Sequence, residues 1–396
     1  MDNLPSPLAP PRRVLLGPGP SDVAPSVLEA LGKPTVGHLD PVFLGIMDEI
    51  RAMQRVVFGT KNALTMPISA TGSAGMEACL VNLIEPGNRV IVGVNGVFGT
   101  RIAEVSRRCG AEVVEVQGEW GRALDPEAIR SAGHAAGLNF DLLCCVHAET
   151  STGVRQEIPP LREVADELGA LLLVDCVTSL AGIPVEFDAW GIDAAYSGTQ
   201  KCLSCPPGLS PISLSDRAAE RLSKRTSKVA SWYLDLSLLG TYWGAQRAYH
   251  HTAPINMLYG LHEALRLTLE EGLEARFKRH ALNSHAFWAG LEELGVPPTV
   301  PEAERLIPLT AVAVPAGVDE ARVRRFLLEN YSIEIGAGLG PLKGKVWRVG
   351  LMGAGSTRSN VELCLAALKG ALESEGHKTL GDPLGAAQAV YQAKAP

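Results

Sequence analysis

Between about residue 64 and residue 215, short runs of consecutive apolar residues alternate with stretches in which apolar positions recur every three or four residues. Short apolar runs suit strands covered on both faces, and the longer period suits amphipathic helices; their alternation calls for a mostly parallel sheet packed between helices. The predicted strands are residues 89–94, 112–116, 142–146, 170–174, 194–197 and 211–214. Between them fall helices such as the one carrying Met76, Cys79, Leu80 and Leu83. This is a doubly wound α/β core. From 253 to about 294 the pattern is continuously helical, with a stripe of Leu258, Leu261, Leu265 and Leu269, until Pro297 and Pro298 break it. Beyond the break, predicted strands at 310–314, 333–335 and 345–350 and helices at 319–330 and after Ser359 make a smaller α+β unit. The expected division is an N-terminal arm at 1–21, a large domain at 22–271 and a small C-terminal domain at 272–396.

Composition narrows the functional classes. A chain of 396 residues has room for two domains, and 46% hydrophobic with 20% charged residues is ordinary for a globular protein. No apolar run approaches the roughly 20 residues of a membrane span. Thirty-six basic against 43 acidic residues, without a dense basic block, argue against a nucleic-acid partner. Eight scattered cysteines suit reduced, buried small hydrophobes better than a disulfide framework. The proline-rich start, Met1 to Arg13, has neither a signal-peptide core nor a transit-peptide pattern, and the final Ala-Lys-Ala-Pro is no Ser-Lys-Leu address. A cytoplasmic protein is expected.

Ligands of open α/β sheets bind where strands end. Asp175 follows the run Ala170-Leu-Leu-Leu-Val174, and Lys201, 201 − 175 = 26 residues later, follows the run at 194–197. A lysine can hold an aldehyde cofactor as a Schiff base, while a carboxylate beside a pyridine nitrogen keeps that nitrogen protonated and the ring electron-withdrawing. Taken singly, Asp175 could equally cap a helix and Lys201 lie on the surface. A third feature adds weight. Ala70-Thr71-Gly72-Ser73-Ala74-Gly75 opens an amphipathic helix, and free N–H groups with nearby hydroxyls at such a start form a phosphate cradle, although Thr71 or Ser73 could simply be the N-cap.

Leu15-Leu-Gly-Pro-Gly-Pro-Ser21, Thr71-Gly72-Ser73, Asn95-Gly-Val-Phe-Gly99, His147-Ala-Glu-Thr-Ser-Thr-Gly153, Val174-Asp175, Ser197-Gly-Thr-Gln-Lys201, Tyr249-His-His-Thr252 and Lys345-Val-Trp-Arg348 follow one another along almost the whole chain. Together they resemble the class V, fold type I pyridoxal-phosphate aminotransferases, in particular the alanine-glyoxylate, serine-pyruvate and ureidoglycine-glyoxylate branch. The resemblance implies a large domain with a mostly parallel seven-stranded sheet, pyridoxal 5'-phosphate as cofactor, and small amino acids and keto acids as substrates. It makes Lys201 the Schiff-base lysine and proton shuttle and Asp175 the partner of the ring nitrogen. Thr71, Gly72 and Ser73 would lie about the phosphate, Gln200 beside the phosphate or the ring oxygen, Phe98 against the ring face where the family often has tryptophan, and Val177, Thr150 and Thr152 nearby. Arg348, mid-strand, would take the substrate carboxylate, with Gly19 and His38 bordering the substrate. Tyr249 and Thr252 would reach the phosphate of a neighbouring subunit, which implies a homodimer.

Within that family the donor is open between alanine, serine and ureidoglycine. Gly118-Glu-Trp-Gly121 and Thr199-Gln-Lys-Cys-Leu-Ser204 look close to the ureidoglycine branch, but that branch is expected to carry amides where this chain has His38 and Tyr249. A non-catalytic cofactor-binding regulator fits less well, since Lys201 and Asp175 are both present. Cysteine desulfuration would want a mobile cysteine loop, and beyond Gly272 only Cys364 is available. No metal is expected at His250-His251, and Cys202-Leu-Ser-Cys205 lacks a second pair for zinc. The spacing around Gly17, Gly93 and Gly344-Lys345 fits neither a dinucleotide fingerprint nor a P-loop.

Overall fold

Leu171–Asp175 is buried over all five of its residues, so it needs a strand on each side and cover on each face. The computed structural model supplies both. It describes residues 5–393; the ends of the chain, including most of the carboxyl-terminal tetrapeptide weighed above, lie outside the described residues. The central sheet has seven strands: β1 (Leu64–Ile68), β2 (Arg89–Val94), β3 (Glu112–Gln117), β4 (Leu142–Val146), β5 (Leu171–Asp175), β6 (Ala194–Tyr196) and β7 (Ser210–Leu214). Their order is β1-β7-β6-β5-β4-β2-β3, all parallel except β7, which is antiparallel to both its neighbours. Val146, Asp175 and Tyr196 stand side by side in register. The carboxyl ends of the three middle strands are therefore level, and the polar segments that follow them emerge together.

Five predicted strands match within a residue at either end, and β5 is displaced by one. β1 was not anticipated, because Pro67 interrupts its apolar run. Proline cannot donate to a ladder and is tolerated at a sheet edge, which is where β1 lies, with Pro67 opposite Pro211. The long helical stretch is two helices, Ile255–Glu271 and Leu273–Glu293. Gly272 separates them at φ 81°, a conformation open to glycine that ends the first helix although the apolar stripe continues.

A second hydrophobic core gathers Phe287, Leu291, Trp347, Val349, Leu365 and Leu368. Its sheet is antiparallel, Leu309–Ala313 and Gly336–Ala337 flanking Val346–Gly350, with helices Glu320–Tyr331 and Arg358–Ser374. The run predicted at 333–335 is not part of that sheet. Ile333–Glu334 pairs in parallel with Val14–Leu15, and Leu16 is buried in the second core, so the later part of the N-terminal arm is docked against the small region. A last helix, Pro383–Ala393, was not foreseen; its Tyr391 hydroxyl donates to Asn283 Oδ1 at 2.9 Å.

Candidate active site

Asp175 closes β5 and is only 4% exposed. Its Oδ1 accepts from the Val177 N–H and its Oδ2 from the Tyr196 hydroxyl, each at 2.8 Å. Burial pushes its carboxyl up to about 6 against the pull of those two donors. Lys201 follows β6 through a loop fixed at both ends. Ser21 donates its hydroxyl to the Lys201 carbonyl at 2.6 Å and its N–H to the Gln200 carbonyl at 2.9 Å, while Thr199 donates to the Pro206 carbonyl at 2.7 Å. The lysine is 9% exposed, its amine donates to the Pro18 carbonyl, and burial, aided by the nearby Arg348 charge, lowers it to about 8. Gly19 makes room for it: a Cβ there would stand 2.6 Å from Lys201 Nζ, and φ is 111°.

A cavity of about 210 Å³ opens over these groups, and Gly72, Ser73, Phe98, Thr150, Asp175, Val177, Gln200 and Lys201 all line it. Helix Gly72–Leu83 starts at its wall with Thr71 as N-cap, yet Thr71 makes no side-chain capping bond, so the first N–H groups keep their capacity for an anion. Gln200 Oε1 is buried without a partner among the described residues. Arg348, 7% exposed, sits at the centre of its strand; its Nε donates to the Ala337 carbonyl at 2.7 Å and a terminal nitrogen to the Thr150 carbonyl at 3.2 Å. It makes no ion pair among the described residues, and burial lowers its affinity for its proton. A desolvated guanidinium whose donors go to neutral carbonyls, with Glu149 acting on it only from beyond ion-pair distance, is a ready anion site.

Not every expected residue is at the cavity. Thr152 is buried, but its hydroxyl turns back to the Glu149 carbonyl at 3.4 Å. Thr71 is exposed beside the helix start. His38 and Tyr249 are brought to each other, ring centroids 5.1 Å apart, and Tyr249 is 61% exposed; with Thr252, they do not line this chain's own cavity. Several lining residues were not singled out from sequence: Met76, Arg101, Ala148, Thr178 and Tyr196. Arg101 lies over the Phe98 ring, 5.2 Å from its centroid. Tyr196 could have been found by its register with Asp175.

His250 stacks on Trp232 at 4.3 Å and shares a hydrogen bond with His251, which reaches Ser69. Among the described residues no group of His, Cys, Asp and Glu is arranged to hold a metal. All eight cysteines are free; Cys202 donates to the Thr178 carbonyl, and burial pushes the Cys202 and Cys205 thiols up to about 12.

A parallel sheet whose level strand ends bring a buried lysine and a buried aspartate to one small cavity, beside an anion-ready helix start, defines a fold type I pyridoxal-phosphate transferase. The chain belongs to the class-V aminotransferase family, whose sequence profile (Aminotransferase class-V) matches residues 16–357, and it is accordingly a pyridoxal-phosphate-dependent transaminase. It is 42% identical over 373 residues to the alanine–glyoxylate aminotransferase of Drosophila melanogaster, spanning 93% of this chain and 94% of that one. The crystal structure of an alanine–glyoxylate aminotransferase from Nostoc sp. superposes with a TM-score of 0.92 at 49% identity, covering 93% of this chain and 98% of that one. A ureidoglycine–glyoxylate aminotransferase from Bacillus subtilis superposes with a TM-score of 0.94 at 40% identity, covering 97% and 99%.

Proposed function

We propose that the protein transfers an amino group from a small amino acid, alanine or serine, to glyoxylate or pyruvate, in two half-reactions at one site. The observation that carries this reading is the single cavity shared by buried Lys201 and Asp175, with the Arg348 guanidinium, which makes no ion pair among the described residues, beside it. Gly72, Ser73 and Gln200 are the residues that would hold the cofactor phosphate, Phe98 offers a flat apolar face, Asp175 would pair with the ring nitrogen, and Lys201 would hold the aldehyde carbon. When bound, the cofactor supplies an electron-withdrawing ring that stabilises charge left on the substrate α-carbon. The chain's own part is to bind and to move a proton. Arg348 presents a planar fork to the carboxylate common to every donor and acceptor. Lys201 Nζ, brought to about 8 by burial, is poised near neutrality to take the α-proton and return it.

The same reading makes the enzyme a cytoplasmic homodimer. Exposed Tyr249 and Thr252, which do not line their own cavity, are available to a second subunit, and eight free thiols suit a reducing compartment. The similarity to the Bacillus subtilis enzyme favours a second donor, ureidoglycine. Against it stands the ring pair His38–Tyr249, which offers few amide-like donors and acceptors to a ureido group. The test is a donor panel with glyoxylate fixed as acceptor, comparing specificity constants. Alanine or serine should lead; a wild-type preference for ureidoglycine would overturn the branch, and no transamination with any of the three would overturn the substrate class.

A further inference from the structure

Glu149 is a fully buried carboxylate that the proposed chemistry does not use. It ends the two-residue strand Ala148–Glu149 after β4, paired with Val154 across the turn that begins at Thr150, and four hydrogen bonds converge on it. Its Oε2 accepts from the N–H groups of Phe98 and Gly99 at 3.1 and 3.3 Å, and its Oε1 from the Ser151 N–H and hydroxyl at 3.1 and 2.5 Å. Ser151 Oγ in turn accepts from the Val97 N–H at 3.0 Å. The helix these bonds grip, Val97–Arg108, has Gly96 as its N-cap and so has no capping side chain of its own. Gly96 is needed there, since a Cβ would stand 2.3 Å from Glu149 Cδ. The orphan donors of one helix are thus satisfied by a carboxylate from another segment, whose charge also suits the positive end of the helix dipole.

The turn has a second grip. The next carbonyl, that of Thr150, accepts from Arg348, and Gly153 at φ 80° lets the backbone lie against Ala311, the residue paired with Arg348 in the small sheet. One short turn therefore holds both the residue at the cavity wall, Phe98, and the strand that presents Arg348.

We infer that Glu149 is a positioning residue, a buried carboxylate clasp that sets Phe98 at the cavity wall and ties it to the Thr150–Arg348 side of the site. Its effect on cofactor affinity rests on the cofactor site proposed above; the clasp itself does not. In Glu149→Gln an amide N–H₂ must face one of the two donor pairs, and the clasp opens on that side.

The test uses full-length wild type and Glu149→Gln, each prepared without and with pyridoxal phosphate. Peptide-resolved hydrogen exchange of the cofactor-free proteins should show amides of residues 97–101 exchanging about tenfold faster in the variant, the scale of one lost bond to a buried charge, with the sheet strands unchanged. Pyridoxal-phosphate affinity by fluorescence quenching should fall by a similar factor, and in a Phe98→Leu background Glu149→Gln should add much less, because both changes act through one ring. Ser151→Ala, which removes only the hydroxyl's share, should move both readouts the same way by less. Unchanged exchange at 97–101 in both Glu149→Gln and Ser151→Ala overturns the clasp. So does faster exchange throughout the molecule with unaltered cofactor affinity, the signature of general destabilisation. Should Glu149→Gln fail to fold, the Ser151→Ala readouts decide. Should the wild type bind no pyridoxal phosphate, the cofactor site fails while the exchange comparison still decides the clasp.

Discussion

The strand ends at Asp175 and Lys201 and the segment from Tyr249 to Thr252 contribute very differently to one expected site. At the strand ends both ionisable groups are buried and oriented inside a single chain: Asp175 by Val177 and Tyr196, Lys201 by Pro18 and the Ser21-anchored loop. Tyr249 is exposed and packs against His38, and neither lines the cavity. The first region holds buried charges in shifted states, which is how a fold stores reactivity. The second presents side chains to whatever lies outside the chain. Changes at the strand ends should therefore abolish chemistry, and changes at Tyr249 or His38 should redirect it.

The largest effect is expected at Asp175. Asp175→Asn should slow single-turnover α-proton abstraction by roughly 10²–10³-fold, because a neutral amide cannot stabilise a protonated ring nitrogen. The cofactor-free variant should nevertheless be more stable than wild type near pH 7. Asp175 is raised from 3.8 to about 6, so its contribution to stability is complete below 3.8 and lost as pH rises through about 6. Lys201 is lowered from 10.5 to about 8, so its contribution is complete above 10.5 and lost as pH falls through about 8. Between these values the empty site buries both charges, and the amide relieves one of them by a free energy on the order of 2 kcal/mol. Thermal denaturation across pH 5–9 checks this; equal stability of the two proteins at every pH would contradict it.

Arg348→Lys comes next. A point charge in place of a fork should lower specificity constants for all carboxylate substrates by about tenfold to a hundredfold while leaving donor ratios unchanged. A shift in donor preference would move Arg348 out of its assigned role. The smallest effect belongs to the exposed region. His38→Gln with Tyr249→Asn should raise the ratio of specificity constants for ureidoglycine over alanine by several-fold, on the order of 1 kcal/mol, with activity retained. Loss of all activity in that double variant would erase the contrast between the two regions.

What could be read from sequence followed from local physics. Strands buried on both faces announce themselves, so the ends that carry Asp175 and Lys201 were found together with the sheet. β1 was hidden by Pro67, whose tolerance depends on an edge position that no local pattern reveals. The break at Gly272 was masked by an apolar stripe that runs through it. Ile333–Glu334 pairs with a segment more than 300 residues away in sequence, and only the folded chain brings Val14 to it. The site shows the same division. Lys201 and Asp175 stood out by position, whereas Glu149, in a turn rich in Thr and Ser, reads as an ordinary turn carboxylate until Phe98 and Gly99 are seen donating to it.

The claim on which all of this depends is that Lys201 is the residue that carries the cofactor. Purified protein loaded with pyridoxal phosphate, reduced with borohydride, digested and analysed by mass spectrometry should yield one modified lysine, Lys201, since reduction turns a reversible linkage into a stable secondary amine. A modification at Lys224, Lys228 or another lysine, or a protein that carries no cofactor at all, would contradict the account.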